Sequence, residues 1–336
     1  MYNLIKKIMK PVSVSGREDA VVAVIAEEIG QYVDSMRIDA LGNLIAYKAG
    51  TAENKKKLMF AAHIDEIGFM ATYIEENGFI RFAPVGGINF ASAAFTHVVF
   101  ENGTRGILVP ENGTKPADYA ADKFVCDIGV KSRKEAERHV KIGDTFSVCA
   151  DLVKLAGSRY AGRPLDDRIG AAILVEAAKN LADTDCPNDV YFVFTVQEEV
   201  GCRGAQTAAF GVQPDIGIAL DVCGTGDEQG SAPMAVKLGG GAAIKIKDQS
   251  VICDRKLVEK MRALADENKI KYQLEILLRG GTDTSSMQKA AGGAFAGCIS
   301  IPTRHIHSTV EEIDLGDVKE CVRLTEAISK SDFCEF

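Results

Sequence analysis

The second half of the chain alternates apolar segments with amphipathic helical segments, and this alternation constrains the fold most. The helical pattern RIGAAILVEAAKNLA is followed by the strand-like segments VYFVFTV and IGIALDV, and the alternation continues to a final helix at DLGDVKECVRLTEAISK. The upstream apolar run LMFAA has the character of another buried strand. Apolar strands that alternate with helices typically form a parallel sheet covered on both faces. We therefore predict an α/β fold with a mostly parallel sheet and helices on both faces.

Residues 67–157 interrupt this pattern with short alternating segments separated by Gly, Asn and Pro. Such segments predict a small all-β unit, with one helical piece near SRKEAERHV. A chain of 336 residues is also longer than most single cores. We expect a main domain of residues 1–66 and 158–336, with an inserted all-β domain at residues 67–157.

Composition narrows the possible partners. The net charge of −8, from 39 basic and 47 acidic residues, does not favour binding to nucleic acid or to anionic membranes. The N-terminus does not resemble a signal peptide, and no stretch reaches the roughly 18 apolar residues of a membrane span. Nine cysteines without C-x-x-C spacing predict free thiols in a reducing compartment. We expect a cytoplasmic protein without a nucleic-acid or membrane partner.

Acidic residues and histidines cluster where the predicted strands end. Ligands of open α/β sheets bind outside the carboxyl ends of the strands, so these side chains should meet at one rim of the sheet. Each motif alone has a simpler interpretation, such as a helix N-cap, a solvated acid pair or a core histidine. Together they predict a functional site. The residues are His63, Asp65, Asp166, Asp167, Glu198, Glu199, Asp221, His305 and His307.

The chemistry of this set favours metal binding. Carboxylates gathered at one rim repel each other unless a cation neutralises them. Histidines together with several acids and no cysteine suit divalent Zn, Co or Mn. A carboxylate such as Asp166 could bridge two ions, which would polarise a carbonyl and activate a water.

Alternation along an extended chain suggests separate roles for neighbouring residues. In His63-x-Asp65, the carboxylate falls on the same side as the imidazole and could orient it. In Glu198–Glu199, one carboxylate could bind a metal while the other acts as a general base.

The segments AAHIDEIGFM, GRPLDDRIG, VQEEVGCRGA, LLRGGTDTSSM and PTRHIHSTVEEIDL occur in this order. As a set they resemble the tetrahedral-aminopeptidase family of dinuclear metallopeptidases, whose members are also called deblocking or glutamyl aminopeptidases and, in some cases, endoglucanases. The resemblance extends over nearly the whole chain. It implies a zinc-peptidase-like sheet and an inserted PDZ-like or barrel-like domain for dimerisation and assembly.

The resemblance also implies a role for each matching residue. Glu198 corresponds to the general base, and Asp65 corresponds to the carboxylate that orients a ligand histidine. The implied ions are two per subunit, Zn or Co with Mn as a further option. His307 rather than His305 matches the family's ligand because it directly precedes the serine. The implied ligands are His63 and Asp221 for one ion, Glu199 and His307 for the other, and Asp166 as the bridge.

The implied activity is removal of N-terminal residues from short peptides by a homo-oligomer that is built from dimers and is possibly dodecameric. Arg279, Gly281 and Asp283 match a loop near the family's substrate pocket. Arg279 could pair with an acidic first residue of the peptide, or it could be an ordinary surface arginine.

Other functions remain open at this point. A deacylase or carboxypeptidase could use the same metal chemistry, and a non-catalytic metal-binding scaffold could use the same ligands. An endoglucanase could use paired carboxylates, but it needs no two-histidine metal set, and the chain has no tryptophan for a sugar platform. The glycine run in LGGGAAIKIKD lacks the G-K-[ST] ending of a phosphate loop, so close backbone packing near the active site is the simpler interpretation.

Overall fold

A computed structural model describes all residues, Met1–Phe336. The strands are β1 (Ser35–Ile38), β2 (Leu44–Lys48), β3 (Lys57–His63), β4 (Gly68–Ile74), β5 (Ile80–Val85), β6 (His97–Phe100), β7 (Arg105–Pro110), β8 (Phe124–Asp127), β9 (Thr145–Val148), β10 (Ala150–Lys154), β11 (Arg159–Arg163), β12 (Asp189–Thr195), β13 (Ile216–Cys223), β14 (Ala242–Lys247), β15 (Tyr272–Ile276), β16 (Phe295–Arg304) and β17 (Glu311–Asp314). The helices are α1 (Tyr2–Met9), α2 (Asp19–Ile29), α3 (Phe90–Ala93), α4 (Arg133–Ala136), α5 (Arg168–Asn180), α6 (Arg203–Val212), α7 (Arg255–Glu267), α8 (Thr284–Gln288) and α9 (Leu315–Ser329).

Eleven strands form one large mixed sheet. Its main path runs β1-β2-β12-β3-β13-β16-β17-β11-β10, and β14 and β15 extend from β16. The centre, β12-β3-β13-β16, is parallel. Of the ten strand pairs, however, only four are parallel, so the prediction of a mostly parallel sheet was wrong. The antiparallel additions, such as β1, β10 and β17, are short strands whose direction the apolar pattern does not reveal.

Helices cover both faces of the large sheet, as predicted. The main core of 52 buried residues joins one face to α1, α2, α5, α7 and α9. A smaller core of ten residues lies on the other face, against α6 and α8. Strand β13 shows how one strand serves both cores: Ile218 and Leu220 belong to the larger, and Ala219 between them belongs to the smaller. This is the two-residue alternation of a strand that is buried on both faces.

Strands β4 to β9 form a closed antiparallel barrel with its own core of 15 buried residues. Packed rings of Phe69, Phe82, Phe100 and Phe146 fill its centre. The predicted helical piece corresponds to α4. Strand β10, which follows the barrel, pairs with β11 in the large sheet. The barrel therefore interrupts the sheet between the end of β3 and the start of β10.

The glycine run packs closely against backbone, but away from the metal-ligand candidates. A Cβ on Gly241 would lie 2.1 Å from the carbonyl oxygen of Lys271. The N–H groups of Gly239 and Gly241 each donate to the buried Asp317 carboxylate at 2.7 Å. Because Asp317 already occupies these donors, the run does not form a phosphate cradle.

Two further expectations concern the cysteines and membranes. All nine cysteines are free, and six of them are buried. None of the helices combines the length and the apolar character that crossing a bilayer requires.

Candidate active site

A cavity of about 390 Å³ opens at the carboxyl ends of the parallel strands. Strand β3 ends at His63, β12 leads into Glu198 and Glu199, and Asp221 lies near the end of β13. The loops after β11 and β16 complete the rim. Six of the predicted site residues line this one cavity: His63, Asp166, Glu198, Glu199, Asp221 and His307. The convergence predicted from the strand ends is therefore present in the fold.

The Asp166 carboxylate lies between the two histidines. One of its oxygens is 3.0 Å from Nε2 of His63, and the other is 3.3 Å from Nε2 of His307. Asp166 follows β11, just before α5, and it joins Asp167 through a cis peptide bond. A carboxylate that presents one oxygen to each of two imidazoles has the form of a bridging ligand.

Two further carboxylates complete the two sides of this arrangement. An Asp221 oxygen lies 3.8 Å from Nε2 of His63, and a Glu199 oxygen lies 3.2 Å from Nε2 of His307. Asp167 also approaches, since its ligand atom lies within 4.8 Å of those of His63 and Asp221. The same carboxylate accepts the N–H of Gly170 and so caps α5, which is the role that a simple N-cap interpretation predicts.

Asp65 is fully buried beside His63 and is held from several directions. Its Oδ1 lies 3.4 Å from Nδ1 of His63 and accepts the N–H of Glu198 at 3.0 Å. Its Oδ2 accepts the hydroxyl of Ser15 at 2.6 Å and the N–H of Glu199 at 3.2 Å. The carboxylate thus ties the end of β3 to the turn that carries Glu198 and Glu199.

Glu198 faces a different set of neighbours from Glu199. The Cys202 thiol donates to Oε1 of Glu198 at 3.1 Å, and the buried Asp283 carboxyl lies nearby. Oδ2 of Asp283 accepts the hydroxyl of Thr195 at 2.5 Å. The two adjacent glutamates therefore have different contacts, Glu198 with Cys202 and Glu199 with His307.

Burial and charge repulsion shift the pKa values throughout the site. Burial raises the pKa of Glu198, Glu199 and Asp221, and neighbouring carboxylates raise them further. Burial lowers the pKa of His307, but hydrogen bonds to Asp166 and Glu199 outweigh it and raise this pKa to about 11. Repulsion among buried carboxylates of this kind is what a bound cation would relieve.

The predicted substrate-pocket residues divide into two groups. Arg279 and Gly281 are exposed and line the cavity. Asp283 is buried behind Glu198 and does not line it. His305 lies outside the cluster, with Nδ1 2.8 Å from Glu228, whereas His307 lies within it.

Sequence reasoning gave no site role to three residues that the structure places here or directly behind the site. Ser15 lies far from the strand-end motifs in the sequence, and Glu311 lies four residues after His307, but no local pattern indicates the contacts of either residue. Cys202 is four residues from the predicted site residue Glu198, so proximity in the chain could have suggested it.

Comparison with known proteins agrees with this geometry. Residues 42–324 match the family described as M42 glutamyl aminopeptidase. A protein of Acetivibrio thermocellus, provisionally named an aminopeptidase, is 47% identical over 98% of both chains. The lysyl aminopeptidase of Pyrococcus furiosus is 32% identical, and the alignment covers 97% of this chain and 96% of that one.

Solved structures give the same result. The TET1 peptidase of Pyrococcus horikoshii, which can assemble into a tetrahedron or a large octahedral shell, has a TM-score of 0.90 at 34% identity over 98% of this chain and 99% of that one. A Thermotoga maritima structure described as an endoglucanase has a TM-score of 0.82 at 30% identity over 97% of this chain and 96% of that one. With this match over most of its length, the chain belongs to the M42 glutamyl aminopeptidase family of peptide hydrolases.

Proposed function

We propose that this chain is a metal-dependent aminopeptidase that removes N-terminal residues from short peptides with the help of two divalent ions. The observation that carries the proposal is the Asp166 carboxylate, which presents one oxygen to His63 and the other to His307. The family supports a peptide hydrolase, and the donor set supports the metals.

The residues present fit two ions. Imidazole nitrogen and carboxylate oxygen, without thiolate, suit Zn or Co, with Mn as a further option. His63 and Asp221 would hold one ion, Glu199 and His307 would hold the other, and Asp166 would bridge them. Bound ions of this kind polarise a scissile carbonyl and lower the pKa of water.

Glu198 is the residue that we assign to proton transfer. It lines the cavity but has no histidine contact of the kind that Glu199 makes. Its raised pKa, caused first by burial, suits a group that accepts a proton from the attacking water and returns it to the leaving amine.

Glu198→Gln tests this assignment. General acid–base catalysis typically contributes about 10²- to 10⁴-fold, so kcat should fall by this factor while the protein still binds its metals. Glu199→Gln is the matched control, because it should lower the metal content instead. Near-normal turnover in Glu198→Gln would remove Glu198 from this role.

The preferred first residue depends on this chain's own pocket. The family description names glutamyl substrates, whereas the Pyrococcus furiosus relative is named for lysyl substrates. Arg279 is exposed at the cavity wall, and a guanidinium there favours an acidic side chain. An exposed charge pair is worth up to about 1 kcal/mol, so Arg279→Ala should lower the preference for glutamyl over leucyl substrates about 5-fold. Arg255→Ala, at an arginine on α7 whose side chain is 92% exposed, is the control; equal preferences in both variants would exclude Arg279 as a determinant.

We also propose that residues 67–157 form an assembly domain and that the chain forms a cytoplasmic homo-oligomer built from dimers. The closed barrel gives this region a core of its own, and a relative of known structure assembles into large shells. Gel filtration with light scattering measures the molar mass of the full chain in solution. Comparison with the masses expected for a dimer and a dodecamer tests the assembly.

The endoglucanase alternative has one supporting observation, the name of the Thermotoga maritima structure. The experiment that separates the alternatives uses metal-stripped protein reconstituted with Zn, Co or Mn. It measures hydrolysis of a panel of aminoacyl-p-nitroanilides, their N-acetylated forms and a soluble cellulose substrate. Metal-dependent cleavage that N-acetylation blocks supports the aminopeptidase. Release of acetate from the N-acetylated forms favours a deacylase, and cleavage of cellulose favours the endoglucanase.

A further inference from the structure

We infer that Arg163 and Glu311 are positioning residues that hold the segments carrying Asp166 and His307 in register with the end of β3. The inference rests on the proposed metal-binding function, because its consequence is measured as metal affinity. Neither residue lines the cavity, so neither can contact a substrate there.

Arg163 reaches two separate segments with one guanidinium. Nη2 donates to the carbonyl of Ile67 at 2.9 Å, and Nη1 donates to the carbonyl of Ser308 at 2.7 Å. Ile67 follows the His63–Asp65 motif, and Ser308 directly follows His307. Because a guanidinium presents its donors in a rigid planar fork, these two bonds fix the distance between the segments.

Glu311 holds the third segment. Its Oε2 accepts the N–H of Leu165 at 2.6 Å and the N–H of Asp166 at 3.0 Å. Its Oε1 lies 3.9 Å from Nη1 of Arg163. Both side chains are almost fully buried, at 3% and 1% exposure, so these contacts form away from solvent.

The backbone of the His307 loop needs such support in addition to the contacts of the His307 side chain with Asp166 and Glu199. The His307 side chain is 39% exposed, and its backbone has a positive φ of 59°. A non-glycine residue in the left-handed region persists only where its surroundings hold it. The bond from Arg163 to the adjacent Ser308 carbonyl provides that restraint.

The position of Arg163 in the chain has a second consequence. Ile67 leads into the first barrel strand, and Arg163 ends β11, which the chain enters after leaving the barrel. Gly87 of the barrel lies so close to His307 that a Cβ there would be 3.1 Å from Nδ1. Arg163 therefore joins the connection to the barrel, the return from it and the His307 loop.

The test is a conservative variant with a matched control. Arg163→Lys keeps the positive charge between Glu66 and Glu311 but replaces the fork with a single ammonium. Arg159→Lys is the control, because Arg159 is on the same strand and pairs with Glu312 and Asp314 of β17, away from the metal-ligand segments. Titration of metal-stripped protein with Zn²⁺ or Co²⁺ in a calorimeter gives the affinities directly.

Disturbing the partners that orient metal ligands typically costs about 10- to 100-fold in affinity. Arg163→Lys should lower the affinity of the site that contains His307 by about this factor, and Arg159→Lys should change it by less than about 2-fold. In a His307→Ala background, Arg163→Lys should have almost no further effect on the remaining site, because the lost ligand already removes the coupling.

Equal losses for Arg163→Lys and Arg159→Lys, or equal losses with and without His307, would overturn the inference. Thermal unfolding of the metal-free variants separates positioning from a general loss of stability. If Arg163→Lys does not fold, the metal affinity of Glu311→Gln is measured instead. Glu312→Gln, at the neighbouring residue, is then the control. Absence of metal binding in the unmodified protein would instead refute the proposed function.

Discussion

The Asp65 carboxylate offers the sharpest test of how the site is organised. Asp65→Asn keeps the shape of the side chain but replaces one acceptor oxygen with an NH₂ donor. In one orientation, the NH₂ group faces Nδ1 of His63 and the N–H of Glu198. In the other, it faces the N–H of Glu199 and the hydroxyl of Ser15, which could rotate to accept. Either way, one backbone N–H loses its acceptor.

The magnitude follows from these contacts. A hydrogen bond to a charged group contributes about 1.5–3 kcal/mol, so the free energy of unfolding should fall by about this amount. When the NH₂ group faces His63, Nδ1 of the imidazole would accept a hydrogen bond from it. The imidazole proton would then be on Nε2, the nitrogen that points at Asp166. Metal affinity should then fall about 10- to 100-fold.

The assay is calorimetric titration of metal-stripped protein with Zn²⁺, together with kcat on the best p-nitroanilide. Ser15→Ala is the control, because it removes one donor to Oδ2 and leaves the oxygen that faces His63. It should weaken metal binding by less than Asp65→Asn. The backbone carbonyl of Asp65 also lies 3.2 Å from Nδ1 of His63. If Asp65→Asn bound Zn²⁺ within about 2-fold of the unmodified protein, that carbonyl would orient the imidazole alone, and our reasoning about the carboxylate would be refuted.

Two further predictions concern pH and packing. Burial lowers the pKa of His307 while hydrogen bonds to Asp166 and Glu199 raise it to about 11, above the value of about 6.5 in an unfolded chain. The stability that this proton gives the metal-free protein is complete below about pH 6.5 and is lost as the pH rises towards about 11. A metal ion that binds His307 must displace the same proton, so metal binding becomes easier as the pH rises. The difference in melting temperature between metal-loaded and metal-free protein should therefore widen between pH 6 and pH 8.5, and an unchanged difference would contradict this. Gly87→Ala places a Cβ 3.1 Å from Nδ1 of His307 and should weaken metal binding. Gly292→Ala is the control, because a Cβ there meets open space and should not change the affinity. Similar affinities in both variants would show that the His307 loop moves aside without a loss of metal affinity.

The sequence predicted where the acids and histidines meet better than it predicted the directions of the strands in the sheet. His63, Glu198 and Asp221 follow long apolar strands, and parallel strands bring their carboxyl ends to one edge whatever their order. The pattern of apolar residues therefore located these side chains without a full topology. The roles of the individual ligands came from the family resemblance, and they stay predictions here.

The parts that escaped prediction depend on contacts between distant segments. Strand β17 has only four residues, and its antiparallel pairing with β11 depends on tertiary packing. Helix α6 follows a tight turn, where Cys202 has a positive φ, and its small residues gave no strong apolar stripe. Glu311 begins β17, four residues after His307, and its bonds to Leu165 and Asp166 become visible only in the folded chain.

The wide separation of the metal-ligand candidates along the chain bears on biosynthesis. His63 precedes the barrel, Asp166 follows it, and His307 lies on the loop after β16, beyond every other ligand candidate in sequence. A growing chain on the ribosome thus carries Glu198 and most of the ligand candidates well before the set is complete. Because the two histidines meet only across Asp166, peptide hydrolysis would begin only after the last strands of the large sheet have paired. The order of residues along the chain would in this way delay activity until synthesis is nearly finished, and it would protect neighbouring nascent chains from a half-made peptidase.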